Sequence, residues 1–183
     1  MSRMIRLLRV VTACAVAGCA NQPERPIVPV DEAKTRQVYD VALQELKKIM
    51  TPRAGSTAPV NWSERMYLNP VVLLPATDSA NPLFHDATWS ESAVARGLVT
   101  GICGKPPASP CPPDVPVAFT SLSPVWTKGG DTVFVQGGYA GEAPGEHTYE
   151  AVFWIFTIAP DEETGSLKVV RKGSANRMTF ETR

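Results

Sequence analysis

The segment HTYEAVFWIFTIAP, from His147 to Pro160, constrains the fold most, because it is apolar on both of the faces that a β-strand would present. One face would carry Tyr149, Ala151, Phe153 and Ile155, and the other Val152, Trp154, Phe156 and Ile158. A strand of this kind lies in the middle of a sheet that is covered on both sides, or it contains a bulge. The segment therefore predicts the central strand of a sheet.

Alternating segments surround this central strand, and short turns separate them. The segments are VAFTSLSPVW from Val117, TVFVQGGYA from Thr132, SLKVVRK from Ser166 and an edge that continues to Phe180. The intervening KGGD, AGEAPGE and DEETG have turn chemistry. Consecutive strands joined by short turns usually pair antiparallel. The pattern predicts a mostly antiparallel β-meander over Val117–Phe180.

An amphipathic helix is predicted ahead of the strands, over Glu32–Met50. Asp31 can cap its first turn, and Pro52 stops it. Its apolar positions recur at spacings of three and four: Val38, Tyr39, Ala42, Leu43, Leu46, Ile49 and Met50. The fold class is therefore expected to be α+β, with this N-terminal amphipathic helix packed on the mostly antiparallel C-terminal β-meander. The single domain would cover residues 31–183, and a cone-like sheet is one alternative for its shape.

Shorter elements are predicted between the helix and the meander. A strand is best placed at Val71–Leu74, which prolines bound on both sides. A short helix is expected over Glu91–Thr100, with Ser90 as its cap and Gly101 at its end. The remaining stretches are rich in Pro, Gly, Ser and Asn and are typical of loops.

The N-terminus has the pattern of an export signal. Three arginines precede the uncharged run Val10–Ala17, which is much shorter than the roughly 20 residues of a membrane-spanning helix. The tetrapeptide VAGC that ends at Cys19 resembles the lipobox of bacterial lipoproteins. That resemblance implies a signal peptide of residues 1–18 and acyl chains, of the palmitate type, on Cys19. The alternative is an ordinary signal peptide cut near Ala15 or Ala20.

The lipobox resemblance also implies where the protein is located. Two or more acyl chains hold a protein stably on a membrane. In lipoproteins of Gram-negative bacteria an Asp after the Cys favours the inner membrane, so Ala20 implies the outer membrane, with the domain facing the periplasm. Residues 19–30 carry prolines at a spacing of three and are expected to form an extended tether of about 3.1 Å per residue.

Cys103 and Cys111 are expected to form a disulfide bond, because disulfides persist where an exported chain folds. The other interpretation is a metal or redox pair. That interpretation is disfavoured, since the two residues lack a C-x-x-C spacing and no second ligand pair follows.

The charge of the chain argues against one class of partner. The chain has 18 basic and 18 acidic groups, and removal of the signal peptide leaves a small acidic excess. Without a basic block there is no electrostatic footprint for nucleic acid. The expected partners are the membrane, through the lipid anchor, and an envelope protein or a small apolar ligand.

The C-terminal half resembles that of small bacterial envelope lipoproteins. The resemblance is carried by the Val38-Tyr39 helix, by the turn Gly130-Asp131-Thr132 and by the last strand with Lys168-Val169-Val170. The same order of elements is similar to cystatin-like and nuclear-transport-factor-like domains, in which a helix lies in a curved antiparallel sheet. The resemblance implies a layout and no particular activity.

The search for catalytic motifs leaves one weak candidate, the loop NPLFHDATW with His85 and Asp86. A hydrolase could use Ser90, His85 and Asp78, because a nucleophile needs a base that a carboxylate holds. A solvated loop histidine is the simpler interpretation. The patterns G-x-S-x-G, H-E-x-x-H and the phosphate-binding loop do not occur.

Two other groups of side chains are candidate ligand sites. The carboxylates and imidazole that could bind a hard cation are Glu142, Glu146, His147 and Glu150. The side chains that could line an apolar pocket are Trp62, Trp89, Trp126 and Trp154. Solvated hairpin charges and a core Trp154 are the simpler interpretations, so no metal or cofactor is expected.

Two functions therefore remain. The first is a lipid-anchored envelope lipoprotein that acts as a periplasm-facing binding or scaffolding module. The alternative is an envelope enzyme, a hydrolase or a pocket-type isomerase, that uses the loop with His85 and Asp86.

Overall fold

The structure, a computed structural model, describes residues 28–52, 61–72, 84–103, 117–142 and 148–181. These residues form two α-helices and a nine-stranded sheet that curls into a half-barrel, and the predicted α+β class is confirmed. The helices are α1 (Glu32–Met50) and α2 (Ala87–Ala95), with a 3₁₀ turn at Trp62–Glu64. The strands are β1 (Val28–Pro29), β2 (Met66–Leu68), β3 (Gly101–Ile102), β4 (Ala118–Leu122), β5 (Trp126–Thr127), β6 (Val133–Glu142), β7 (Thr148–Pro160), β8 (Leu167–Lys172) and β9 (Asn176–Glu181).

The two long strands β6 and β7 lie at the centre of the sheet and pair antiparallel along the whole of β6. Along its other edge, each of these long strands pairs with two short strands that follow one another. Strands β4 and β5 both pair with β6, and β8 and β9 both pair with β7. Beyond β4 the sheet continues with β2 and β3 in parallel pairings, and β1 is added antiparallel to β5.

The break between β4 and β5 occurs at Pro124, which has no N–H to donate to a ladder. Ser123 bridges this break through Gln136. Its N–H donates to the carbonyl of Gln136 at 2.8 Å, and its Oγ accepts the N–H of Gln136 at 2.9 Å. A hydroxyl thus takes the place of a ladder carbonyl, and the row continues past the proline.

A bulge interrupts the pairing of β7 with β8. The register shifts between Thr157 and Ile158. After the end of β8, the N–H of Gly173 donates to the carbonyl of Ile155 at 2.9 Å, which keeps the chain beside β7. A bulge bends its strand and increases the local twist, so it contributes to the curl of the sheet.

The core lies between α1 and one face of the sheet, which we call the inner face. Its buried side chains are Val38, Ala42, Leu43 and Leu46 from α1, and Leu122, Val133, Val135, Val152, Phe156 and Ile158 from the strands. Gly137 lets the helix approach, because a Cβ there would lie 2.9 Å from Leu122 Cδ2 and 3.4 Å from Leu46 Cδ1. The helix has the bounds that the sequence predicted, and Asp31 caps it by accepting the N–H of Lys34 at 2.9 Å.

Two shorter elements differ from their predictions. Helix α2 begins at Ala87 instead of Glu91, because Asp86 and not Ser90 is its N-cap, and it ends at Ala95 instead of Thr100. The strand predicted at Val71–Leu74 lies instead at β2, and Val71 makes only an isolated bridge to Phe84. Residues 73 and 74 are outside the described ranges.

Of the two alternatives for the apolar segment of β7, the structure has the bulge and leaves one face uncovered. Val152, Phe156 and Ile158 are buried on the inner face, whereas Ile155 on the opposite face is 45 % exposed. We call this opposite side of the sheet the outer face. Neither of the helices in the described residues has the length and apolarity to cross a membrane.

Candidate functional site

His85 is buried in an aromatic cluster between the two helices. Its ring lies edge-on to Tyr39 with 4.9 Å between centroids, and 5.4 Å from Trp89. Neither ring nitrogen has a hydrogen-bond partner among the described residues. Burial lowers the pKa of His85 to about 4, while the backbone carbonyl of Leu122, which does not reach hydrogen-bond geometry, acts in the opposite direction. His85 is therefore neutral at pH 7 and packs as an aromatic side chain.

Asp86, the other candidate of this loop, serves the start of α2. Its Oδ1 accepts the N–H of Trp89 at 2.7 Å and lies 3.4 Å from a guanidinium nitrogen of Arg36. The hydroxyl of Ser90 donates to the backbone carbonyl of Asp86 at 2.9 Å, and no hydrogen bond joins it to His85. Asp78 lies outside the described residues. The described part of the chain therefore does not assemble the nucleophile and base of a hydrolase.

A second polar group in the same region was missed by the sequence analysis. The carboxylate of Asp40 on α1 accepts the indole N–H of Trp89 at 2.9 Å and two guanidinium bonds from Arg96. The hydrogen bond to Asp40 raises the pKa of Arg96; burial opposes this rise, and the charge of Asp40 adds to it. No local pattern marks Asp40, because its partners are about 50 residues away. The arrangement holds α1 and α2 together.

Cys103 is 1 % exposed and takes part in a disulfide bond. Its N–H donates to the carbonyl of Leu68 at 2.9 Å, which fixes it at the edge of the sheet. Cys111 lies outside the described residues, so its pairing with Cys103 stays a prediction. Cys19 also lies outside them.

The outer face carries the largest group of uncovered apolar side chains in the described residues. The register of the strands places seven of them on this side: Tyr67, Phe119, Trp126, Phe134, Phe153, Ile155 and Met178. Ile155 and Met178 are 45 % and 47 % exposed, and the other five are partly exposed. Such a group exceeds the singly scattered apolar residues of an ordinary surface.

Two rings of the outer face lie close to the sheet because the neighbouring strands have glycines, which lack a Cβ, at the facing positions. A Cβ at Gly101 would lie 2.6 Å from Cε1 of Tyr67, and a Cβ at Gly138 would meet the ring and backbone of Phe153. An aromatic ring placed over a strand glycine shields the backbone there. The rings of Tyr67 and Phe153 therefore lie flat against the strands and form an apolar part of the outer face.

The end of the outer face next to β1 combines aromatic rings with positive charge. Trp126 stacks on Phe134 with centroids 5.9 Å apart, and the ammonium of Lys128 lies 6.0 Å from the Phe134 ring. Arg171 pairs in register with Thr157 in the same row of the sheet. Neither Lys128 nor Arg171 makes an ion pair with another described residue.

On the inner face, Glu150 forms an ion pair with Arg177 at 2.5 Å beside Tyr139. Burial and the charge of Glu150 raise the pKa of Tyr139, and Arg177 opposes this effect. Glu142, Glu146 and His147 have no described side chains, and no group of metal ligands occurs among the side chains that the structure describes.

The four tryptophans do not line one pocket. Trp126 belongs to the outer face and Trp154 to the inner face, where its ring lies 6.0 Å from that of Tyr139. Trp89 lies with His85 between the helices, and Trp62 lies in the 3₁₀ turn.

Comparisons with protein families, with curated proteins and with solved structures find no match to this chain. The geometry of the chain itself must therefore support any functional conclusion.

Proposed function

We propose that this protein is a lipid-anchored envelope lipoprotein whose α+β domain is a binding module with the outer face as its binding surface. The observation that carries the binding role is the row of uncovered aromatic and aliphatic side chains on that face. The anchor is supported by the lipobox resemblance that ends at Cys19. In this proposal the domain faces the periplasm from the outer membrane.

The fold supports a module of the cystatin-like or nuclear-transport-factor-like layout as the finer description. One long helix packs on the inner face of a curled, mostly antiparallel sheet, and Leu46 lies 3.4 Å from where a Cβ of Gly137 would be. In this layout the helix covers one side of the sheet only. The other side remains free for a partner.

The tether is supported by the position of the first described strand. Val28 and Pro29, the last part of the predicted tether except for Val30, pair with Thr127 and Trp126. The chain towards Cys19 therefore leaves the domain at the edge of the sheet that carries Trp126. An anchor at Cys19 would therefore be joined to the domain next to Trp126, one of the outer-face side chains.

The enzyme alternative has less support. The hydroxyl of Ser90 and the carboxylate of Asp86 are both used in capping α2, and His85 is buried among rings. None of the three is arranged to transfer a proton to another. A binding role does not require such a transfer.

Two measurements on cells test the proposal. Intact mass of the native protein should show a chain that begins at Cys19 with acyl chains, and Cys19→Ser should abolish both. Complementation of a deletion strain should fail with the double variant Ile155→Asp and Met178→Asp, and should succeed with Lys48→Gln, which changes an exposed side chain on α1. Full complementation by the outer-face variant would contradict the binding role.

A further inference from the structure

We infer that the outer face docks directly on the lipid surface that carries the anchor, so that the domain lies against the headgroups. The inference rests on the proposed acylation of Cys19, and it names the partner of the proposed binding surface. Four observations carry it: the place where the tether leaves the domain, the length of the tether, the side chains at that end of the face, and their charge.

The tether leaves the domain beside the surface in question. Pro29 pairs in register with Trp126, which is itself part of the outer face. Because Pro29 lacks an N–H, it suits the edge of a sheet and does not call for a further strand. A chain that is attached to a membrane at residue 19 would therefore join the domain at this edge.

The tether is long enough to let the face lie flat. Nine residues lead from Cys19 to Val28, and in an extended polyproline-type chain they span roughly 28 Å. Neighbouring strands are about 4.8 Å apart, so the four steps from β2 to β9, across the outer face, measure roughly 19 Å. The reach of the tether exceeds the width of the face, and both can lie on the same headgroup layer.

The side chains at the tether end suit the boundary between water and hydrocarbon. Trp126 and Phe134 form a stacked pair, and Trp is enriched at membrane interfaces because its ring is apolar with one polar N–H. Further across the face, Ile155 and Met178 are each nearly half exposed. These aliphatic side chains would enter the outer part of the acyl layer.

The charge of the face complements anionic lipids. Lys128 and Arg171 have no acidic partner among the described residues, and Lys128 lies over the ring of Phe134. Glu150, an acidic side chain described on these strands, alternates with Ala151 and Phe153 and so belongs to the inner face, where it pairs with Arg177. A basic, aromatic surface next to an acyl anchor favours a lipid headgroup layer over a protein partner.

The test uses the full acylated chain, reconstituted in vesicles of phosphatidylethanolamine and phosphatidylglycerol. Bromine on the lipid acyl chains quenches tryptophan emission on contact. Trp126→Phe should remove most of the quenching seen with the unaltered protein, and the matched variant Trp62→Phe should leave it unchanged. Lys128→Gln should weaken docking about fivefold in these vesicles and leave it unaltered in neutral phosphatidylcholine vesicles, whereas Lys48→Gln on α1 should have no effect in either.

The possible results distinguish a failure of docking from a failure of anchoring. An acylated protein whose Trp126 is not quenched by brominated lipid would overturn the docking and leave the anchor intact. A mass that shows no acyl chains would overturn both. Protection of Trp126 by an envelope protein, with no quenching in vesicles alone, would also overturn the docking and would assign the face to a protein partner.

Discussion

The guanidinium of Arg96 holds the carboxylate of Asp40 at both oxygens, with Nη2 2.8 Å from Oδ1 and Nη1 2.5 Å from Oδ2. The same Oδ1 accepts the indole N–H of Trp89 at 2.9 Å. Trp89 lies in the first turn of α2 and Arg96 is its C-cap residue, so one carboxylate on α1 fixes both ends of the short helix.

Asp40→Ala should lower the free energy of unfolding by about 1.5 kcal/mol, because it removes a partly exposed ion pair and leaves the indole N–H unpaired. Urea unfolding measures the loss. Glu45→Ala is the matched control on the same helix, since Glu45 lies 3.7 Å from Lys48 and 4.0 Å from Lys172. Its effect should stay within about 0.5 kcal/mol. Equal losses for the two variants would contradict a stabilising role for the bonds from Asp40 to Trp89 and Arg96, which we call the Asp40 clamp.

The contrast between α1 and this clamp shows what the sequence could predict. The bounds of α1 follow from local signals, namely the Asp31 cap, the apolar spacing and Pro52. The start of α2 was wrong because Asp86 and Ser90 are both good caps, and only tertiary packing of Trp89 selects between them. Contacts between distant residues, such as Asp40 with Arg96, leave no local periodicity.

Among the strands too, pairings between neighbouring segments can be predicted from the sequence and pairings between distant segments cannot. The alternation along β6 and β7 predicts strands and their antiparallel pairing, because short turns join them. The parallel pairing of β2 with β4 joins segments about 50 residues apart, and no turn signal announces it. The uncovered outer face was also beyond prediction, since Ile155 and Ile158 have the same residue type and differ only in what packs on them.

Stability should depend on pH through His85. Burial lowers its pKa in the folded protein to about 4 from an ordinary 6.5, so the unfolded chain binds the proton more readily. The free energy of unfolding is therefore unaffected by the titration of His85 above pH 6.5. It falls by a total of about 3 kcal/mol as the pH falls from 6.5 to 4. Urea unfolding across this range should show the loss, and His85→Phe should flatten that part of the curve. An unchanged slope in the variant would contradict a buried neutral His85.

Gly137→Ala should destabilise the protein by about 1 to 3 kcal/mol through overpacking. The new methyl would lie 2.9 Å from Leu122 and 3.1 Å from Phe156, which are both fully buried. Gly141→Ala on the same strand is the control, because its nearest neighbours would be 3.4 Å away. Thermal unfolding of both variants tests the close packing of Leu122 and Phe156 over Gly137, and a neutral Gly137→Ala would argue against it.

Loss of the disulfide at Cys103 should lower the free energy of unfolding, because it removes a constraint on the unfolded chain. If Cys111 is the partner, the closed loop of about nine residues contributes roughly 2.5 kcal/mol. Cys103→Ala and Cys111→Ala should then lose similar amounts, and the double variant no more than either single variant. A thiol assay that finds one free Cys in each single variant supports the pairing, and additive losses would contradict it.

The two faces of β7 should lose very different amounts of stability on the same substitution. Ile158 is fully buried under α1, so Ile158→Thr should lower the free energy of unfolding by about 3 kcal/mol through a lost methyl group and a buried hydroxyl. Ile155 is 45 % exposed on the outer face, so Ile155→Thr should change stability by less than about 0.5 kcal/mol. Because Thr suits a strand as well as Ile does, any loss of binding in Ile155→Thr reports on the surface alone. Paired unfolding and binding measurements check this, and a large destabilisation by Ile155→Thr would mean that the outer face is covered within the protein itself.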